Sequence, residues 1–154
     1  MDDPSFSYAR KFAERSYTSF MTSLNGLPIG KYFNVDCLDI TITQTNTLNY
    51  VLRIEYKNTY PDLIKVKLPY DVIKHIKSYV ERRVILNITI SYVKDTPFKP
   101  PTWTPINIFT FNLKDRDFQH IIKKHYYENK HDWSPTIVLE KDILYFIEKI
   151  MFIL

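Results

Sequence analysis

Gly26 and Gly30 are the only two glycines in 154 residues. A loop that cradles phosphate needs several closely set glycines, so a nucleotide site of that kind is excluded. A glycine-flanked serine nucleophile is excluded with it. Cysteine is almost as scarce. Cys37 stands alone, which leaves no internal disulfide and fits a reducing compartment. The opening stretch MDDPSFSYARKF lacks the apolar core of a signal peptide. The apolar C-terminal stretch is interrupted by Glu148 and Lys149 and is too short to cross a bilayer. These absences lead to the expectation of an intracellular, cytoplasmic protein with no membrane span and no cofactor. Excess positive charge is modest at +4, well short of a dedicated nucleic-acid binder.

What is present points to a packed globule. Apolar residues make up 45% of the chain and aromatics 16%, too much for disorder, and the length suits one domain spanning 1–154. Ala9, Phe12, Ala13, Tyr17, Phe20, Met21 and Leu24 recur at intervals of three and four, which predicts a helix over Ser7–Leu24 closed by Asn25-Gly26. Arg10, Lys11 and Arg15 lie off that stripe. Strict alternation then predicts strands around Leu38–Thr43, Tyr50–Lys57 and Ile64–Leu68, with a fourth at Leu86–Val93. Between the last two, Val72, Ile73, Ile76, Tyr79 and Val80 mark a helix over Asp71–Arg83 with Asp71 as its N-cap. Ile106–Leu113 reads as a further extended run, and Lys114–Asp117 as a charged turn. Phe118, Ile121, Ile122, His125 and Tyr126 predict a helix over Phe118–Lys130. Leu139, Ile143, Phe146, Ile147, Ile150 and Leu154 predict another over Thr136–Leu154, its stripe buried on the sheet.

Two short stretches organise this pattern. Thr96–Pro105 carries four prolines in ten residues, TPFKPPTWTP. Proline lacks an amide donor and fixes φ, so the segment is expected to run as a rigid extended rim rather than as helix or central strand. The second stretch is HDWSP, His131–Pro135, where Ser134 suits an N-cap and Pro135 the first helical turn.

A strand, then PFKPP, then a WSP that opens a helix resembles the ubiquitin-conjugating (E2, or UBC-like) superfamily. Pro97, Phe98, Lys99, Pro100 and Pro101 match the first motif, with Thr96 where the family has tyrosine. Asp132, Trp133, Ser134 and Pro135 match the second. The likeness covers roughly Leu86–Leu154, and the helix before Leu86 departs from the family pattern. The resemblance implies an α+β domain in which N- and C-terminal helices flank an antiparallel meander.

It also implies a place for a catalytic thiol. Counting eight residues back from Trp133 reaches His125, and no cysteine lies anywhere between the proline-rich segment and WSP. Thr104-Pro105-Ile106-Asn107 is only a faint echo of the family's His-Pro-Asn. Thioester chemistry needs a polarisable nucleophile and a donor for the developing charge. With neither at the matched positions, the resemblance is to the catalytically inactive E2 variants, which bind protein partners. The contact residues expected are Phe98, Pro100, Pro101 and Trp103 with Trp133 and Pro135, although Phe98 and Trp133 serve equally well as internal braces.

Other chemistries are thinner. His120, His125 and His131 are five and six residues apart, not the i, i+4 spacing that puts two metal ligands on one helical face. Lys123, Lys124, His125 and Lys130 with Tyr126 and Tyr127 could meet nucleic acid, but a solvated helix face explains them as well. Two readings of other classes therefore stay open beside the binding module. One is a structural or assembly component, for instance of a large DNA virus particle. The other is a nucleic-acid accessory protein.

Overall fold

A computed structural model describes residues 3–24, 38–58 and 67–154. The fold is α+β. Helix α1 (Ser7–Leu24) precedes strands β1 (Leu38–Asn46) and β2 (Asn49–Lys57). Helix α2 (Tyr70–Val80) leads into β3 (Arg83–Ser91) and β4 (Thr102–Phe111), and helices α3 (Asp115–Asp132) and α4 (Leu139–Met151) follow. The four strands form one antiparallel sheet in the order β1-β2-β3-β4. Among the described residues no helix is long and apolar enough to cross a membrane.

Alternation decides which face of the sheet is covered. Ile42, Tyr50, Leu52, Ile54, Val84, Leu86, Ile88, Ile90 and Trp103 are buried on one side. Against them lie Ala9, Ala13 and Phe20 of α1, Phe118 and Ile122 of α3, and Leu139, Ile143, Phe146, Ile147 and Ile150 of α4. Rings lock α1 down: Tyr17 sits 5.1 Å from Tyr50, and Phe12 meets Tyr92 edge-on at 6.0 Å. The opposite face is mixed, with Val51, Ile85, Phe109 and Phe111 beside polar groups. Arg53 reaches Asn87 at 3.5 Å, and the Asn87 amide donates to Asn107 at 2.6 Å. Glu55 pairs with both Arg53 and Arg83 at 3.3 Å, and those guanidiniums hold its carboxyl below the usual carboxylate range.

Several expectations need correction. β2 pairs with β3 along its whole length, Asn49 with Ser91 through Lys57 with Arg83, and the strand expected over Ile64–Leu68 falls mostly outside the described residues. Residues 64–66 lie outside the described residues, and Lys67 and Leu68 belong to no strand. The Asn25-Gly26 helix stop and Cys37 also lie outside them. Helix α2 begins one residue earlier than expected, with Pro69 at the N-cap position and no side-chain cap, and Asp71 falls in the first turn. Its C-terminal end is held instead by two asparagines. The Asn112 amide donates to the carbonyls of Ser78 (2.6 Å) and Glu81 (2.8 Å), and Asn58 bridges Val80 and Arg82. Asn112 adopts φ 57°, a left-handed conformation asparagine tolerates better than most residues.

The proline-rich segment divides in two. Lys94–Phe98 forms tight turns, in which the amides of Phe98 and Lys99 both donate to the Asp95 carbonyl. From Thr102 the chain is already β4, with Pro105 inside the strand. β4 is an edge strand, and Ile106 is inserted as a bulge between the pairs Ile88–Pro105 and Asn87–Asn107. An edge and a bulge are the places a sheet accepts proline. The WSP motif does not open α4 directly. Ser134-Pro135-Thr136 makes a turn, in which Ile137 N–H donates to the Ser134 carbonyl, and α4 begins at Leu139 behind Val138.

Candidate functional site

Helix α3 spans the stretch between the proline-rich segment and the WSP motif. Asp115 and Asp117 in its first turn and Lys130 and His131 in its last match the helix dipole, so the charged turn expected at Lys114–Asp117 is the helix start. Phe118, Ile122, His125 and Asn129 form its buried stripe. Two of those four positions are polar, and both look for partners across the seam with α4.

They find Asp142. This carboxylate is 1% exposed on the buried stripe of α4, between Leu139 and Ile143. Its Oδ1 accepts from His125 Nε2 at 2.7 Å and from the Asn129 amide at 2.7 Å. Its Oδ2 accepts from the Trp103 indole N–H of β4 at 3.2 Å. On the other edge of the imidazole, Lys149 Nζ donates to Nδ1 at 3.0 Å and is itself paired with Glu128 at 2.6 Å. The Lys149 ammonium beside Glu128 holds that carboxyl below its ordinary range. Trp103, His125 and Phe146 pack as a ring cluster with centroids 4.4–5.4 Å apart. The network ties β4, α3 and α4 together, and every polar atom named in it has a partner, as a low-dielectric interior requires.

An imidazole between a carboxylate and an ammonium is also how proton-transfer sites are built; here the ring is fully buried and joins α3 to α4. Among the described residues no group of three His, Cys, Asp or Glu is placed to hold a metal. The basic cluster on α3 is divided as well. His125 points inward, Lys124 pairs with Glu128 at 3.7 Å, and Tyr127 packs edge-on against His131.

The six expected contact residues separate by burial. Pro100 and Pro101 are buried, and Trp103 is 5% exposed with its indole committed to Asp142. Pro100 and Pro101 lead into β4, and Trp103 lies within it. Trp133 is half-buried and donates its indole N–H to the Pro97 carbonyl at 2.7 Å, pinning the turn before β4. Thr96–Pro97 at that turn is a cis peptide. Because Trp133 keeps part of its surface in water, Trp133→Ala is expected to cost about 2–3 kcal/mol, below the range of fully buried large residues. Trp133→Phe should recover part of it by keeping the ring and losing only the hydrogen bond; urea unfolding of the pair measures both. Pro135 is exposed at the turn.

Phe98 also faces outward, 77% exposed. Across from it stands Tyr8, 80% exposed, in the first turns of α1. Between them lies an open hollow of about 730 Å³, lined also by Ser5, Lys94, Asp95 and Lys99. Lys99 and Asp95 pair at 2.7 Å in solvent, which lowers the carboxyl and raises the ammonium from their ordinary values. Tyr8 was not among the expected contacts. It lies off the apolar stripe of α1, an exposed aromatic on a helix face that needed none, and that was its only signal.

No protein-family model, curated protein or solved structure matches the chain.

Proposed function

We propose that the chain is a non-catalytic E2-like module that binds a protein partner through the hollow between Tyr8 and Phe98. The observation that carries this is the exposure of two large aromatics, 80% and 77%, on either side of one hollow built on a pinned turn. Exposed aromatics on rigid supports are the usual anchors of protein interfaces. The E2 likeness supports the same place. Its PFKPP falls between β3 and β4, and in active members this neighbourhood and the first helix receive ligase partners. The absence of a thiol at the matched positions, with fully buried His125 there instead, supports binding without conjugation.

The test is affinity capture from the native source with four baits: the native chain, Phe98→Ala, Tyr8→Ala and a distant exposed control, Tyr79→Ala. A partner retained by the native chain and the control should be weakened by each hollow variant by about 2 kcal/mol, roughly thirtyfold. Equal retention by all four would move the interface elsewhere. Mixed with activating enzyme, ATP and ubiquitin-like proteins, the chain should form no reducible adduct, and a thioester lost in Cys37→Ala would overturn the non-catalytic reading.

A second reading, an assembly component, is favoured by a different observation. Edge strand β4 exposes Ile106, Phe109 and Phe111 at 54, 51 and 43%. Apolar residues along a sheet edge invite pairing with another chain. Light scattering separates the two readings, since assembly requires concentration-dependent growth that Phe109→Ser suppresses and Phe98→Ala does not.

A further inference from the structure

The buried network has a polarity that the binding reading does not use. Lys149 is an ammonium whose N–H donates to His125 Nδ1, so that nitrogen must carry a lone pair. The proton of the neutral ring therefore sits on Nε2, where Asp142 Oδ1 accepts it at 2.7 Å. The fold thus depends on one protonation state and one tautomer of the His125 ring.

We propose that His125 is a proton-operated latch: neutral, it fastens α3 to α4, and protonation frees Lys149 and loosens the seam beside Trp103. The step is simple to balance. A solvent proton takes the Nδ1 lone pair, the Lys149 N–H···Nδ1 bond is lost, and both ring nitrogens become donors. The new Nδ1–H then faces an ammonium at 3.0 Å, a repulsive pair in a dry site. Lys149 has somewhere to go. Its side chain is 31% exposed and already touches Glu128 at 2.6 Å, and Glu128, held below its usual range, stays charged while a histidine titrates. The same partly exposed ammonium marks the route by which a proton reaches a ring that is itself fully buried.

Helix α4 presents Asp142 and Lys149, one charge of each sign, at 2.7 and 3.0 Å. Helix α3 presents Glu128, turned to Lys149, and the neutral amide of Asn129. Strand β4 contributes the uncharged Trp103 indole. Beyond β3, buried Tyr92 keeps its phenol protonated, because burial and the nearby Asp142 push its ionisation far upward. The two charges at the ring oppose each other, so the geometry at Nδ1 sets the response. When Lys149 leaves, the Asp142 carboxylate draws towards the imidazolium, and its hold on Trp103 changes.

Nuclear magnetic resonance on the whole chain tests this through the Trp103 indole N–H and the ring nitrogens of His125. As pH falls, the Trp103 signal should shift together with both His125 nitrogens. In Lys149→Met, which removes the opposing cation, the common midpoint should rise. In His125→Gln the Trp103 signal should stay flat. An indole that moves while the His125 nitrogens do not, or that never moves while the chain stays folded, would overturn the latch. So would a midpoint unchanged in Lys149→Met, and that comparison stands even where His125→Gln fails to fold.

Discussion

Asp142→Ala is expected to destabilise the fold by about 3–5 kcal/mol, the cost of leaving several buried donors without their shared acceptor. Three donors lose their acceptor at once: the Trp103 indole, His125 Nε2 and the Asn129 amide. All three belong to residues no more than 9% exposed, so water does not readily replace the carboxylate. For a chain of this length the melting temperature should fall by about 10 °C or more. Asp142→Asn keeps the shape and one acceptor and should cost clearly less. A loss under about 1 kcal/mol for the alanine variant would mean that the network is not a clamp between β4, α3 and α4.

Trp103→Ala should cost a similar amount, about 3–5 kcal/mol, for a different reason. The indole fills the space between His125 and Phe146 with centroids at 4.4 and 5.0 Å, and pairs across the sheet with Ile90. Removing it leaves a cavity under α3 and takes one donor from Asp142. Trp103→Phe separates the two contributions, because it keeps most of the volume and loses only the N–H, which is worth about 1–2 kcal/mol. Denaturant unfolding of the three proteins reads both steps. If the phenylalanine variant were as unstable as the alanine variant, the hydrogen bond rather than the packing would dominate.

Much of this architecture is legible in the residues. The α1 stripe from Ala9 to Phe20 predicts a helix over Ser7–Leu24, the span observed, because a single apolar face fixes the period. β1 and β2 follow from alternation for the same reason. The helix expected at Phe118–Lys130 forms as Asp115–Asp132. The clamp was only half visible. Asp142 falls at the third position after Leu139 on an apolar stripe, and His125 falls among Phe118, Ile122 and Asn129, so each is a polar residue where a core position is due. Nothing local says that they meet, since they sit on different helices and are joined by tertiary packing alone. Proline rules misplaced the start of β4 because they speak of central strands, and whether a strand is an edge depends on the whole sheet. Exposure was the other blind spot. Within PFKPP, periodicity cannot show that Phe98 points out while Pro100 and Pro101 point in, because the turn that rotates it depends on Trp133 bonding to Pro97.

Binding without conjugation, as proposed, requires α3 to stay packed over β4, where the proposed E2 likeness would place a nucleophile. Amide hydrogen exchange along Phe118–Asn129 measures that closure. Amides from Ile122 to Asn129 should be protected as strongly as those of β2 and β3, since opening them must break the Asp142 network and expose Ile122 and Trp103. Exchange there at the rate of an unstructured peptide, with the sheet still protected, would contradict a closed site.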